Sequence, residues 1–134
     1  MAALADYQVE LGRALACAGA AAVLGTHAHV LQAVEVHGST PILYGMSHVV
    51  FDLDGILSRW PFDAETYGAR LRLDAGGVSE VTLVPFDMVE AGGRSTITRS
   101  RTDGVHRRLE RLSAGFGTRL AWDPDRAETT VVLP

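Results

Sequence analysis

The chain has 134 residues, 47% hydrophobic and 21% charged, with a formal net charge of −4. That is length enough for one domain with its own core, and the balance excludes wholesale disorder and a nucleic-acid partner bound through a basic surface. The single cysteine, Cys17, excludes an internal disulfide framework and a cysteine-built metal knuckle.

The first expected element is a helix over residues 3–18. Leu4, Tyr7, Leu11, Leu15 and Ala18 recur at helical spacing, among good helix formers. Gly19 is its expected stop. The opening residues lack the basic start and apolar core of a signal peptide, and no apolar run reaches the ~20 residues of a membrane helix. Residues 20–24, Ala-Ala-Ala-Val-Leu, form a short apolar run that reads as a strand buried on both faces of an α/β sheet. Residues 26–29 then form the loop at that strand's C-terminal end.

Leu31 to Val36 and Pro41 to Gly45, joined by His37-Gly38-Ser39-Thr40, predict a β-hairpin. His48 to Phe51 reads as another short strand, and Asp52 to Glu65 as a loop or lid with Asp52, Asp54 and Asp63. Glu65 to Leu73 and Val78 to Val89, around Asp74-Ala75-Gly76-Gly77, predict a second hairpin. Pro85 points to a sheet edge or a strand end. Ala91 to Arg94 reads as a loop. Asp103 to Ser113 predicts a helix, with Val105, Leu109 and Leu112 at helical spacing and Asp103 as N-cap. Leu120 to Trp122 and Thr129 to Leu133 predict a last hairpin around Asp123-Pro124-Asp125.

The chemistry concentrates in Gly25-Thr26-His27-Ala28-His29. Open α/β sheets place ligand sites at the C-terminal ends of their strands. Imidazole suits zinc, copper, iron and nickel. Two His at i and i+2 reach one ion together or two adjacent ions, and a pair of ions can clamp the attacking and leaving oxygens of a phosphoryl transfer. His48, opening a predicted strand, approaches the same edge. His37 in a turn, and His106 beside Arg107 and Arg108, read as solvent-facing. Arg99, Arg101, Arg107, Arg108 and Arg111 read as a solvated face.

The run Ala21-Ala22-Val23-Leu24-Gly25-Thr26-His27-Ala28-His29-Val30-Leu31-Gln32 resembles the bacterial capsule synthesis family called CapA, or PGA_cap. Pro41-Ile42-Leu43-Tyr44-Gly45-Met46-Ser47-His48-Val49-Val50-Phe51-Asp52 resembles the family's second motif at the right distance. The absence of Lys and the abundance of Ala and Gly agree with a GC-rich bacterial coding sequence. The resemblance implies an α/β fold: the C-terminal half of a metallophosphoesterase-like sandwich, with helix, buried strand and several hairpins, as one partial domain over residues 1–134. It implies that His27 and His29 are metal ligands for divalent ions such as manganese, zinc or iron. Gln32 matches a motif position without an assigned role; it and His48 are candidates for supporting the ligands or touching substrate.

The sequence departs from the family in four ways. The Asp usual at the start of the buried strand is Ala21 or Ala22. The family's Leu-Gly-Asn-Phe reads Met46-Ser47-His48-Val49, so an amide has become an imidazole. The Pro usual between the two His is Ala28. The family's earlier motifs, which carry the bridging carboxylate and most other ligands, have no counterpart in this sequence. The resemblance therefore implies a capsule-linked, phosphoesterase-like segment that is inactive alone. It acts on an anionic polymer or phosphoester and pairs with an N-terminal half or with its own copies. The alternative is a non-catalytic remnant or binding module with a weak or absent metal site. Family members are often exported or membrane-anchored; this sequence shows no such segment.

Overall fold

The structure, a computed structural model, describes residues 4–49, 64–91 and 94–134. Among the described residues it is α/β, with two helices and two sheets. Helix α1 spans Asp6–Cys17. Strands β1 (Val23–Leu24), β2 (Val34–His37) and β3 (Thr40–Leu43) form the first sheet, in the order β1-β3-β2. Strands β4 (Glu65–Asp74), β5 (Gly77–Ala91), β6 (Arg94–Arg99), β7 (Leu120–Asp123) and β8 (Glu128–Val131) form the second. Helix α2, Gly104–Ser113, and a 3-10 turn at Ala114–Phe116 lie between β6 and β7 in the chain.

The start of α1 is fixed by Gln8, whose Oε1 accepts the Ala5 N–H at 3.0 Å. Its end is a Schellman turn. The Ala20 N–H returns to the Leu15 carbonyl and the Gly19 N–H to that of Ala16, with Gly19 at φ 97°. The apolar stripe does not face the core: Tyr7, Leu11 and Leu15 are 69%, 57% and 43% exposed. The helix instead rests on the first sheet through Gly12, where an added Cβ would lie 2.9 Å from Tyr44 Cε1 and 3.1 Å from Ile42 Cγ2. A close helix–sheet approach needs small residues on the contact line, and Gly12 and Ala16 supply them at i, i+4 spacing.

The strand expected to be buried on both faces is corrected. Among the described residues, β1 has two residues, pairs in parallel with β3 alone, and leaves Leu24 49% exposed. Val23 packs into the cluster of Ala33, Ile42 and Tyr44, whereas Leu24 points to the opposite face, which is left half open. The first hairpin forms as expected, antiparallel from Val34↔Leu43, but His37 and Thr40, expected in its turn, are paired as its last rung.

The second sheet is built on the 15-residue strand β5. β4 pairs along one edge of it; β8 and then β6 share the other. Pro85 is therefore inside a central strand, not at an edge. Its tolerance has a geometric reason. The Pro85 carbonyl accepts the Ser100 N–H at 3.1 Å, and the nitrogen of an extended residue points the same way as its carbonyl. The missing donor thus falls in the gap where the β8 ladder ends at Leu83 and the β6 ladder begins at Phe86. Ala91 and Arg94, expected in a loop, are the last rung of β5 and β6.

The core lies between the sheets and α2: Leu31, Val34, Leu43, Tyr67, Val81, Leu83, Val105, Leu109 and Val131. Buried Ser113 closes α2 onto β2, accepting the Val34 N–H at 2.9 Å. Asp103 does not cap α2 through its side chain; it pairs with Arg107 Nε at 2.7 Å instead. The last hairpin, β7–β8, turns on Asp123, whose Oδ1 accepts the N–H groups of Asp125 and Arg126. Among the described residues, no helix is long and apolar enough to cross a membrane.

Candidate functional site

The three imidazoles singled out in the sequence come together in space. His27 and His29 follow β1, and His48 follows β3. The ring centroids of His27 and His29 are 6.1 Å apart, and those of His29 and His48 are 5.3 Å apart, edge to face. His27 is exposed, His29 half-buried and His48 buried. The row of rings thus runs from solvent inward.

Short backbone hydrogen bonds hold the two loops together. The Gly25 N–H donates to the Leu43 carbonyl at 2.7 Å, and the Met46 N–H to the Gly25 carbonyl at 3.3 Å. The Gln32 N–H reaches the Gly45 carbonyl at 3.0 Å, and Leu31 bridges Met46. Thr66 on β4 donates its hydroxyl to the Met46 carbonyl at 2.7 Å, tying the second sheet to the loop that carries His48. Gly25 is required here: an added Cβ would lie 2.1 Å from the Tyr44 carbonyl oxygen.

The same loops hold left-handed backbone on residues that rarely adopt it. His27 has φ 80°, His29 φ 55° and Ser47 φ 66°. Each costs on the order of 1 kcal/mol or more, and such residues cluster at functional sites. Among the described residues, three of the four positive-φ non-glycine residues are at or beside this row of imidazoles. Ser47 Oγ also lies 3.3 Å from His48 Nδ1.

Gln32 is not aimed at the imidazoles. Its buried amide exchanges hydrogen bonds with Gln8, at 3.1 Å and 3.4 Å, and so pins α1 to the loop after His29. The expected strand at His48 to Phe51 is absent over His48 and Val49; Val50 and Phe51, and Asp52, Asp54 and Asp63, lie outside the described residues. Imidazole nitrogens are of the right type for a transition metal. They do not complete a coordination sphere, because among the described residues no three His, Cys, Asp or Glu side chains are grouped to hold an ion.

Two residues read as solvent-facing are corrected. His106 is buried, with Nδ1 3.2 Å from Thr129 Oγ1 and its ring 5.6 Å from that of Trp122. Arg99 is a clamp: Nη1 donates to the Pro85 carbonyl, and Nη2 to the carbonyls of Arg126 and Ala127, all within 3.0 Å. Sequence reading missed both roles, and it missed Ser47 and Thr66 as supports of the imidazoles. The only local signal was β-branched Thr96-Ile97-Thr98 beside Arg99, which marks a strand.

The chain matches the family model described as bacterial capsule synthesis protein PGA_cap over residues 2–53, the stretch that carries all three imidazoles. It is 33% identical over 86 residues to the PGA biosynthesis protein CapA of Bacillus subtilis, covering 64% of this chain and 21% of that one. It is 28% identical over 126 residues to a probable polyglutamine synthesis accessory protein of Mycobacterium tuberculosis, covering 92% and 33%. With the capsule biosynthesis protein CapA of Bacillus anthracis it shares 26% over 102 residues, covering 76% and 24%. The chain spans about a fifth to a third of the length of these curated relatives. Over residues 2–53 the chain is thus similar to the bacterial capsule synthesis protein family PGA_cap.

Proposed function

We propose that this chain is part of a capsule-synthesis accessory protein whose site uses His27 and His29 as ligands to divalent metal, with His48 supporting them from beside. The observation that carries this reading is the row of three imidazoles, two of them on left-handed backbone. When bound, divalent metal would supply Lewis acidity and an activated water for attack on a phosphoester or a related linkage in an anionic polymer. The chain's own contribution is positional. Gly25, Ser47 and Thr66 hold the two loops so that His29 and His48 face each other across them.

The remaining ligands, a bridging carboxylate first among them, come from further polypeptide of the same family. Alone, the chain binds metal weakly and does not turn over substrate. The surface that receives that polypeptide is the exposed stripe Tyr7, Leu11 and Leu15 with Leu24 on the open edge of β1. An apolar groove of about 210 Å³ runs between that stripe and Val23 and reaches Thr26, next to His27. Exposed apolar surface of this kind marks an interaction site, and the greater length of the relatives indicates its occupant.

The test is hydrolysis of a generic phosphoester with added manganese or zinc. The chain alone is expected to be inactive. The chain mixed with the remaining portion of a family member is expected to be active, and His29→Ala to abolish that activity. Turnover by the chain alone would overturn the claim of inactivity. A mixture whose turnover ignores His29→Ala would overturn the site, and leave a non-catalytic binding module as the reading.

A further inference from the structure

Away from the imidazole row, the C-terminal end of α1 meets the end of β2. Glu35 and His37 alternate at i, i+2 and so point to the same face of β2, the face under α1. Cys17, the last residue of α1, is exposed, and its Sγ lies 3.8 Å from His37 Nε2. His37 Nδ1 lies 3.5 Å from Glu35 Oε1. Thiol, imidazole and carboxylate are thus in line, with the two ring nitrogens facing opposite partners.

The carboxylate is held firmly. Glu35 is 4% exposed. Its Oε1 accepts Arg13 Nε at 2.9 Å and its Oε2 accepts the Tyr44 hydroxyl at 2.5 Å. Burial and that bond to Glu35 push the Tyr44 phenol well above its ordinary range, so it stays a donor. A carboxylate at Nδ1 selects the tautomer with hydrogen on Nδ1, which leaves Nε2 as a base facing the thiol. The helix end works the other way, because the C-terminal carbonyls of α1 disfavour a nearby anion. Arg13, one turn earlier, opposes that effect.

We infer that Cys17, His37 and Glu35 form a thiol-exchange site, at which Cys17 is modified by low-molecular-weight disulfides. His37 Nε2 takes the Sγ proton, and the thiolate attacks one sulfur of the disulfide. A new bond forms from Sγ to that sulfur, the old S–S bond breaks, and the departing thiolate takes the proton from His37. Cys17 is oxidised to a mixed disulfide and the leaving sulfur is reduced to a thiol, so electrons and protons balance. His37 and Glu35 are positioning and proton-handling residues; Cys17 alone forms a bond.

The experiment follows the reaction of the chain with dithiobis(nitrobenzoate) across pH, comparing the folded chain with the same chain unfolded in urea. Near pH 6.5, where an ordinary thiol with a pKa of about 8.5 is mostly protonated, the folded chain is expected to react roughly tenfold faster than the unfolded one. His37→Gln, at a half-exposed position, is expected to remove that advantage and restore the pH profile of a simple thiol. Cys17→Ser is expected to abolish the reaction. A folded chain no faster than the unfolded one overturns the inference, as does a folded His37→Gln variant as fast as the parent. Should His37→Gln fail to fold, the ratio of folded to unfolded rates in the parent decides alone.

Discussion

His29 and His48 meet edge to face with ring centroids 5.3 Å apart, although one follows β1 and the other follows β3. What brings them together is backbone: β1 pairs in parallel with β3, and the residues just past each strand are hydrogen-bonded through Gly25, Leu31, Gly45 and Met46. The position of the imidazoles is therefore a property of the first sheet.

Gly25→Ala tests that dependence. The new methyl would enter the Tyr44 carbonyl oxygen, a backbone atom that cannot swing aside. The expected cost is roughly 2–4 kcal/mol, in the range of strained or overpacked substitutions. Urea denaturation measures it. A loss below about 0.5 kcal/mol would mean that the two loops are not held as described.

Tyr67 is buried, and its hydroxyl has no hydrogen-bond partner among the described residues. Removing an unsatisfied buried hydroxyl recovers its desolvation cost, so Tyr67→Phe is expected to be neutral or stabilising by about 1 kcal/mol. Burial also raises the phenol's pKa above its ordinary value. The folded state then holds this proton where the unfolded chain releases it, so stability falls as pH rises beyond about 10. Tyr67→Phe should lose less stability in that alkaline window. A variant clearly less stable than the parent at neutral pH would contradict the description of this hydroxyl.

Arg99 reaches three carbonyls, of Pro85, Arg126 and Ala127, through one guanidinium. A lysine carries the charge but lacks the planar fork. Arg99→Lys is therefore expected to destabilise by about 1–2 kcal/mol, read by thermal or chemical denaturation. A lysine variant as stable as the parent would show that charge alone suffices there.

The stripe on α1 separates folding from association. Leu11 is 57% exposed, so Leu11→Glu should change stability by no more than about 0.5 kcal/mol. The same change should abolish binding to the remaining portion of a family member, measured by sedimentation of the mixture. Unchanged association would place the interface elsewhere. A large loss of stability would mean that Leu11 is packed in the isolated chain.

Elements with strong local signals were legible in the sequence. The two helices and three of the hairpins among the described residues follow from apolar spacing and from turn residues such as Asp74 to Gly77. The row of imidazoles was legible in part, because His27, His29 and His48 lie in motifs at strand ends. What escaped depends on partners far along the chain. β6 carries little apolar pattern and is a strand because β5 is long enough to pair with it beyond β8. Pro85 sits inside a central strand because two ladders meet beside it. The apolar stripe of α1 indicated the right element but the wrong face, since spacing alone does not say which side meets the sheet. Gln32 likewise stood in a motif beside the His pair, yet its amide serves α1 through Gln8. Left-handed backbone at His27, His29 and Ser47 has no sequence signal, because Gly is the usual marker and none of the three is Gly.

The central claim is that His27 and His29 bind divalent metal. Isothermal calorimetry of the purified chain with zinc and with manganese tests it most directly, on the parent, on His27→Ala and on His29→Ala. The account predicts weak binding by the parent, loosened by roughly tenfold or more in each variant, as loss of one ligand from an already sparse donor set demands. Variants that bind metal no differently from the parent, or a parent with no binding heat for either metal, would contradict it.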